Sequence, residues 1–334
     1  MLEAYRKDID KIDNEIIALL QKRKNITKEI MSYKLANSLP INDSIRENEI
    51  ITRLINNFPM INPSLIKRIF NLIFDDSKKE NILKEAFKTI DEYLTLRPLI
   101  IAGPCTVESK EQMENTASSL SKMGIKFLRG GCFKPRTFAN SFQGLEDDGL
   151  KLLYDVSRKY KMYTVSEVLE INQYERNAEY IDIIQIGSRS MTSFGLLKSI
   201  GRATMKTNKY VLLKRGLSAT INEFLAAADY IIQAGNPNVL LCLRGIRTFE
   251  QIDSNMRFTP DLSAILELKE KTELPILFDP SHSTGNYKYV KQISKAALEL
   301  KADGLLIEVH TSPKDSIIDS KQATLPDELQ EIIF

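Results

Sequence analysis

The sequence predicts an α/β chain in which a (β/α)8 TIM barrel follows an all-α domain of three helices. The first glycine is Gly103, so the N-terminal part of the chain has a composition typical of helices. Beyond Arg97–Pro98, eight short β-rich runs alternate with amphipathic stretches. Eight such alternations in about 235 residues fit a closed barrel better than an open doubly wound sheet, because this length is typical of TIM barrels.

The predicted helices rest on apolar periodicity and on capping residues. Apolar residues recur near the helical period in the first segment, at Ile9, Ile12, Ile16, Leu19, Leu20, Ile26 and Ile30. The predicted helices run from Leu2 to Ala36, from Asn42–Asp43 to just before Phe58–Pro59, and onward from Asn62–Pro63, where an N-cap precedes a proline. Three helices, the first about 50 Å long, cannot bury their apolar stripes alone, so we expect a helical dimer.

The predicted strands are short apolar runs, most of which end in glycine or proline. They are Leu99–Pro104, Lys126–Gly131, Met162–Val168, Ile183–Gly187, Tyr210–Gly216, Asn238–Gly245, Pro275–Pro280 and Gly304–His310. The helical stretches between them include Lys110–Met123, Ala219–Ala234 and Lys288–Lys301. The chain therefore divides into a helical domain (1–90), a linker (91–98) and a barrel (99–334). Neither of the common glycine-rich nucleotide-binding motifs occurs.

Composition excludes several functional classes. The chain is 43% hydrophobic and 27% charged, with a formal net charge of +2, and it shows no basic patch typical of nucleic-acid binding. No apolar run approaches the roughly 18 residues of a membrane span, and the charged N-terminus does not resemble a signal peptide. Three widely spaced cysteines give no disulfide framework, which indicates a reducing cytoplasm.

Chemically active side chains stand at almost every predicted strand end. In a TIM barrel the C-terminal strand ends build the active site. The residues there are Cys105, Arg129, Lys134, Arg136, Glu167, Arg189, Lys214, Arg215, Arg244, Asp279, His282 and Glu308. The cations among them would converge on one pocket, where arginine forks and lysine point charges suit phosphate or carboxylate groups.

A second subset of these residues suggests a metal site. Cys105, His282 and Glu308 follow strands one, seven and eight, and strands one and eight are neighbours in a closed barrel. A thiolate, an imidazole and a carboxylate suit a divalent ion such as manganese, iron, cobalt or zinc. His310 is a competing ligand that the strand pattern does not exclude. Cys132 and Cys242 lie in apolar surroundings and are interpreted as packing residues.

At these residues the chain resembles the 3-deoxy-D-arabino-heptulosonate 7-phosphate (DAHP) synthases of the Iβ type. The matching segments include IAGPCTVES (101–109), LRGGCFKPRT (128–137), IQIGSRSM (184–191), VLLKRGLSATI (211–221), LFDPSHSTG (277–285) and GLLIEVH (304–310). The helical segment resembles the all-helical chorismate mutases, through YRKDIDKIDNEIIALLQKR (5–23), YK (33–34), PINDSIRENEI (40–50) and IFNLIFDDS (69–77).

The barrel's resemblance implies the condensation of phosphoenolpyruvate with erythrose 4-phosphate. The implied ligands of one divalent metal, with manganese preferred, are Cys105, His282, Glu308 and Asp319. The implied phosphoenolpyruvate-binding residues are Arg129, Lys134, Arg189, Lys214 and Arg244. Arg136 and Thr137 would bind the aldehyde substrate. Arg129 and Lys134 are also the candidate catalytic residues, and Lys134 is expected to carry a proton because burial among cations lowers a lysine pKa.

The helical resemblance implies the rearrangement of chorismate to prephenate in a mutase-type dimer, with a tetramer suggested for the whole protein. Arg23, Lys34 and Arg46 would contact the substrate carboxylates and ether oxygen, and Glu47 the hydroxyl, with Arg23, Lys34 and Glu47 as the catalytic set. Arg6 would reach into the partner's site. The alternative is that this domain is a regulatory module, in which bound chorismate or prephenate inhibits the barrel.

Several positions depart from the family patterns. Leu243 stands where relatives usually have Glu, next to Arg244, and its presence is expected to change how that arginine is oriented. Asp319 precedes serine rather than the usual glycine. In the helical segment, Asn81 and its neighbour Glu80 stand where a Gln or Glu is usual. A further alternative is that the barrel belongs to the related octulosonate 8-phosphate synthases. The KPRT segment and the fused mutase-like segment both disfavour this alternative.

Overall fold

The structure is a computed structural model, and it describes residues 2–36, 44–84, 90–134, 140–249 and 258–333. The chain forms two compact units, residues 1–87 and 88–334.

The described residues of the N-terminal unit, 2–36 and 44–84, form three helices, as predicted. They are α1 (Leu2–Ala36), α2 (Ser44–Asn57) and α3 (Pro63–Lys84). Helix α3 begins where the sequence indicates, because Asn62 Oδ1 accepts a hydrogen bond from the Ser64 amide at 2.9 Å and Pro63 needs no partner for its nitrogen. Phe70 and Phe74 meet edge to face at 5.9 Å.

Much of the apolar stripe on α1 faces outward in this unit. Ile9, Ile12, Ile16, Ile26 and Ile30 each keep about half of their surface exposed. Exposed apolar stripes of this size are uncommon on monomers. The stripe is therefore not covered by the described residues of this unit.

The second unit is a closed parallel barrel, which confirms the predicted fold class. Its strands are β1 (Leu99–Gly103), β2 (Phe127–Arg129), β3 (Tyr163–Glu167), β4 (Ile183–Ile186), β5 (Tyr210–Lys214), β6 (Val239–Leu243), β7 (Ile276–Phe278) and β8 (Gly304–Glu308). Each strand pairs with the next in chain order, and β1 pairs with β8 along its whole length, from Leu99↔Gly304 to Gly103↔Glu308.

Helices cover the outside of the barrel. The outer helices are α5 (Lys110–Lys122), α6 (Glu146–Lys159), α7 (Ile171–Asn177), α8 (Phe194–Ala203), α9 (Ile221–Gln233), α10 (Ser263–Lys271), α12 (Tyr287–Glu299) and α13 (Pro326–Ile333). The short helix α11 (Pro280–Thr284) follows β7 directly, at the C-terminal ends of the strands. The main core lies between them and the outward faces of the strands, where Leu305 and Ile307 are fully buried. Strand alternation then turns Leu306 and Glu308 towards the barrel interior.

A short helix, α4 (Ile90–Leu94), packs at the N-terminal end of the barrel. Tyr93 meets the Tyr163 ring edge to face at 6.1 Å, and the Tyr210 hydroxyl donates to Asp91 at 2.7 Å. Tyr163 and Tyr210 open β3 and β5, so α4 lies opposite the strand ends that build an active site. Residues assigned from sequence to the linker thus include a helix, and the domain boundaries stay a prediction.

No helix in the described part of the chain is both long and apolar enough to cross a membrane.

Candidate active site

Four strands end in a charged side chain at the same mouth of the barrel. Arg129, Glu167, Lys214 and Glu308 are the last residues of β2, β3, β5 and β8. All four are at least nine-tenths buried. Close packing at this mouth requires Gly103, because a Cβ on its backbone, at φ 148°, would lie 2.1 Å from the Arg129 carbonyl oxygen.

Four potential metal ligands converge beside these charges. Donor atoms of Cys105, His282, Glu308 and Asp319 all lie within 4.8 Å of one another. Cys105 Sγ is 3.3 Å from Asp319 Oδ2, and His282 Nε2 is 3.3 Å from Glu308 Oε1. The four residues that the resemblance assigns to a metal therefore lie together.

The chemistry of this cluster fits a divalent cation. Burial, reinforced by Glu308, raises the pKa of the Cys105 thiol, so a nearby positive charge is needed to keep it as a thiolate. Burial lowers the pKa of His282, which favours the neutral imidazole that binds metals. One thiol, one imidazole and two carboxylates are donors that manganese, iron, cobalt and zinc accept.

Asp279 orients His282 for this role. Its Oδ1 accepts from the His282 amide at 2.8 Å and its Oδ2 lies 2.8 Å from His282 Nδ1, which turns Nε2 towards Glu308. Asp279 also forms a buried ion pair with Lys214. Burial alone would raise the pKa of Asp279, but His282 and Lys214 hold it well below its ordinary value. A carboxylate behind a ligand histidine is a common arrangement in metal centres.

Glu308 is fixed on both of its oxygens. Oε1 accepts from Arg129 Nη1 at 2.6 Å, and Oε2 accepts from Gln322 Nε2 at 2.6 Å. Burial opposes ionisation, yet His282 and Arg129 lower the pKa of Glu308 to about 2. The carboxylate is therefore charged and held in one orientation.

Lys134 contacts the same cluster. Its Nζ lies 3.0 Å from the Cys105 carbonyl oxygen and 3.3 Å from Cys105 Sγ. Burial lowers the lysine pKa, but Cys105 and Glu167 outweigh burial and raise it above the ordinary value. The expectation of a lowered pKa for Lys134 is therefore wrong, because the neighbouring groups that dominate are acidic.

Arg244 and Arg189 occupy different environments. Arg244 is buried, its guanidinium lies 4.1 Å from the centre of the Phe258 ring, and Nη2 donates to the His282 carbonyl oxygen at 3.4 Å. Arg189 lies in the exposed turn after β4. Leu243 is buried in the outer core and points away from the barrel interior. Phe258 and His282 therefore contact Arg244 from the mouth side, while Leu243 faces the helices.

Some predicted site residues are not part of this arrangement. Arg136 and Thr137 lie outside the described residues. His310 is not in the four-residue cluster; its Nε2 lies 3.6 Å from Glu108 Oε2. Cys132 and Cys242 are buried free cysteines, as expected for packing residues.

Sequence reasoning missed the roles of Asp279, Gln322 and Phe258. Asp279 had a signal, because an Asp followed by Pro, with His three residues later, is typical of a capped helix start. Gln322 and Phe258 had no such signal, since each reaches the site from a loop.

The N-terminal unit presents its candidate residues on helix surfaces. Arg23 on α1 is partly buried, with its guanidinium 5.5 Å from the Phe74 ring centre. Arg46 Nη1 pairs with Glu49 at 2.9 Å on exposed α2, next to Glu47. Arg6 is exposed, 3.9 Å from Glu3. The side chains of Lys34, Glu80 and Asn81 lie outside the described part of the chain.

A closed parallel barrel whose C-terminal mouth gathers buried cations and a Cys–His–Glu–Asp cluster defines a TIM-barrel enzyme. Residues 92–333 match the DAHP synthetase I family, and the chain belongs to that family. Residues 5–81 match the family described as chorismate mutase type II. Both are enzyme families, and both resemblances read from the sequence are confirmed.

Individual relatives agree with this assignment. A Thermotoga maritima protein named phospho-2-dehydro-3-deoxyheptonate aldolase is 48% identical over 224 residues, which are 67% of this chain and 64% of the relative. This chain thus covers less than two thirds of that relative. A Francisella tularensis protein named 2-dehydro-3-deoxyphosphooctonate aldolase is 29% identical over 245 residues, 66% of this chain and 83% of the relative.

Solved structures give the same picture for the barrel. A crystal structure of a Thermotoga maritima DAHP synthase superposes with a TM-score of 0.66 at 46% identity, and covers 70% of this chain and 66% of that one. A truncated form of the Thermotoga maritima enzyme gives a TM-score of 0.63 at 43% identity, and the match covers 70% of this chain and 82% of that one.

Proposed function

We propose that this protein condenses phosphoenolpyruvate with erythrose 4-phosphate to give 3-deoxy-D-arabino-heptulosonate 7-phosphate and phosphate. The observation that carries the proposal is the four-ligand cluster within 4.8 Å, set among buried cations at the barrel mouth. The heptonate relative at 48% identity, against 29% for the octonate relative, supports erythrose 4-phosphate over a five-carbon aldehyde.

The proposed phosphoenolpyruvate site consists of the cations at the mouth. Its members are Arg129, Lys134, Arg189, Lys214 and Arg244. Four of them are buried, so their charges act on a bound anion through a medium of low dielectric constant. Arg136 and Thr137 are proposed to bind the phosphate or hydroxyls of the aldehyde.

Cys105, His282, Glu308 and Asp319 would hold one divalent ion, for which we propose manganese, and the ion would supply Lewis acidity to the aldehyde oxygen. The protein's own contribution is orientation. Asp279 fixes His282, while Arg129 and Gln322 fix Glu308, so that the donor atoms face one point. Such support from neighbouring groups is a general requirement of metal sites.

The cations at the barrel mouth would hold the two anionic substrates together against their mutual repulsion. Binding both in one pocket converts a two-body encounter into an intramolecular step. The enol carbon of phosphoenolpyruvate attacks the aldehyde carbon, water adds to the resulting cationic carbon, and phosphate leaves. Lys134, whose ammonium lies 3.3 Å from Cys105 Sγ, is the proposed proton carrier.

For the N-terminal unit we propose chorismate mutase activity in a homodimer, within a tetramer for the whole protein. The rearrangement needs no acid, base or nucleophile, only a held conformer and charge beside the ether oxygen. Arg23, Lys34, Arg46 and Glu47 would supply these contacts, with Arg6 reaching the partner's site. The exposed apolar stripe on α1 supports the dimer.

A second candidate for this unit is regulation. Asn81 in place of the usual Gln or Glu favours it, because a shorter neutral side chain would weaken catalysis while the cations could still bind a dicarboxylate. On this proposal, chorismate or prephenate bound to the helical unit inhibits synthesis in the barrel. The three buried free cysteines support a cytoplasmic location for either version.

The experiment is phosphate release by the full chain from phosphoenolpyruvate plus erythrose 4-phosphate, with and without prephenate. We expect turnover with this aldehyde and little with arabinose 5-phosphate; the reverse preference would contradict the proposal. Chorismate consumption by the same protein separates the candidates for the helical unit. Inhibition by prephenate without chorismate turnover would leave regulation alone, and a flat response to prephenate would exclude it.

A further inference from the structure

The fourth candidate ligand, Asp319, stands in a loop that leaves the barrel after β8. The loop closes at its base, where Val309 bridges to Thr324 and the Thr324 amide donates to the Glu308 carbonyl oxygen at 2.9 Å. Asp319 itself has a left-handed backbone, with φ 57°. Apart from glycine this conformation carries a steric cost, which is smaller for aspartate than for most residues. Contacts elsewhere in the loop must therefore hold Asp319 at the cluster.

Glu108 makes such contacts from the loop that carries Cys105. Its Oε1 accepts from the Ile317 amide at 2.9 Å. The Ser316 hydroxyl lies 3.1 Å from the same oxygen and 2.7 Å from the Ile318 carbonyl oxygen, and its single proton serves one of these two acceptors. The Glu108 side chain is only 10% exposed. One carboxylate thus joins the loop after β1, three residues beyond Cys105, to the loop after β8, two residues before Asp319.

His310 faces the other oxygen of the same carboxylate. Its Nδ1 accepts from the Ser312 amide at 3.0 Å, so the neutral ring carries its proton on Nε2. Nε2 is buried, has no hydrogen-bond partner within the described residues, and lies 3.6 Å from Glu108 Oε2. A buried donor of this kind is normally satisfied. A small closure of the 3.6 Å gap would satisfy it on Glu108.

We infer that Glu108 and His310 are positioning residues of the metal centre, which hold the Asp319 loop in the conformation that presents its carboxylate. The inference rests on the proposed metal site and gives His310 a role other than that of a ligand. Glu108 binds the loop through the Ile317 amide. His310 accepts from the Ser312 amide at the start of the loop, and closure of the 3.6 Å gap would let its Nε2 hold Glu108 in place. Removing either side chain should weaken metal binding more than it weakens phosphoenolpyruvate binding, since neither residue belongs to the set of cations proposed to bind phosphoenolpyruvate.

The test is Mn²⁺ titration of the metal-free full chain, with free Mn²⁺ followed by electron paramagnetic resonance. Glu108→Ala is expected to raise the Mn²⁺ Kd about 10- to 100-fold, the usual cost of losing a group that supports a ligand. Glu108→Gln should restore much of the affinity, because its amide oxygen can still accept from Ile317. Glu114→Gln is the matched control, since this carboxylate pairs with Lys159 at 2.8 Å on the outside of the barrel.

Two further readouts separate positioning from loss of structure. The phosphoenolpyruvate Kd should stay within about twofold in every variant, and the Glu108→Gln variant should unfold at the parent's temperature without metal. An unchanged Mn²⁺ Kd in Glu108→Ala, with the parent binding Mn²⁺ and Cys105→Ala not, would overturn this inference alone. A parent that binds no Mn²⁺ would overturn the proposed metal site and this inference together.

Discussion

The two units of this chain handle charge in opposite ways. In the barrel, Arg129, Lys214, Asp279 and Glu308 are buried and paired at the mouth. In the helical unit, Arg6 and Arg46 are exposed, and the apolar stripe on α1 faces outward. The barrel gathers its described candidate residues at one mouth, whereas the helical unit leaves its apolar stripe exposed, and this stripe is where the proposed dimer would form. The predictions below test this difference.

The largest effect on phosphate release is expected from changes to the four candidate metal ligands. Cys105→Ala or His282→Ala should lower phosphate release by at least about 10³-fold, because a Lewis acid contributes several kcal/mol and each 1.4 kcal/mol is tenfold. Metal content and turnover should fall together. Cys132→Ala removes an equally buried thiol outside the cluster and should leave both unchanged. Full activity of the parent in excess EDTA would contradict the prediction.

The second largest effect is expected on chorismate turnover, and it tests whether the activities proposed for the two units are independent. Arg23→Ala should reduce chorismate turnover about 10²-fold, as expected when one preorganised donor is lost, while phosphate release by the barrel stays at the parent's rate. Lys11→Ala, an exposed cation on the same helix, is the control. An equal loss of both activities would show that the division between the units is wrong.

The apolar stripe gives a smaller expected effect on assembly. Ile12→Asp should raise the dimer dissociation constant about 10- to 100-fold, because a fully buried isoleucine contributes about 1.5–3 kcal/mol. Sedimentation velocity over a range of concentrations measures it. Asn14→Asp adds the same charge on the polar face of α1 and should not shift the equilibrium. A monomer–dimer equilibrium insensitive to Ile12→Asp would place the dimer interface elsewhere.

The smallest expected effect is at Arg244. Phe258→Ala removes the ring that its guanidinium stacks on, and should raise the KM for phosphoenolpyruvate about 2- to 5-fold, the strength of a cation–π contact. Phe249→Ala, which truncates a fully exposed ring nearby in the sequence, should leave KM unchanged. A KM unaffected by Phe258→Ala would mean that other contacts orient Arg244.

The strand ends could be predicted from sequence because their positions depend on local patterns. Arg129, Lys214 and Glu308 each close an apolar run, and parallel strands bring such ends to one mouth. The fourth candidate ligand could not be predicted in this way. Asp319 lies 214 residues from Cys105, in a loop without periodicity, and only the family resemblance pointed to it. The raised pKa of Lys134 was missed because it depends on acidic neighbours brought in by other strands.

The pairing of β1 with β8 has a consequence for when an ion can be acquired. Cys105 follows the first strand of the barrel, and Glu308 ends the last one. A nascent chain that still lacks β8 offers only Cys105 and His282 of the four donors. The complete set of donors for the proposed ion therefore exists only once the barrel has closed, and an ion bound there would link the first and last strands of the barrel.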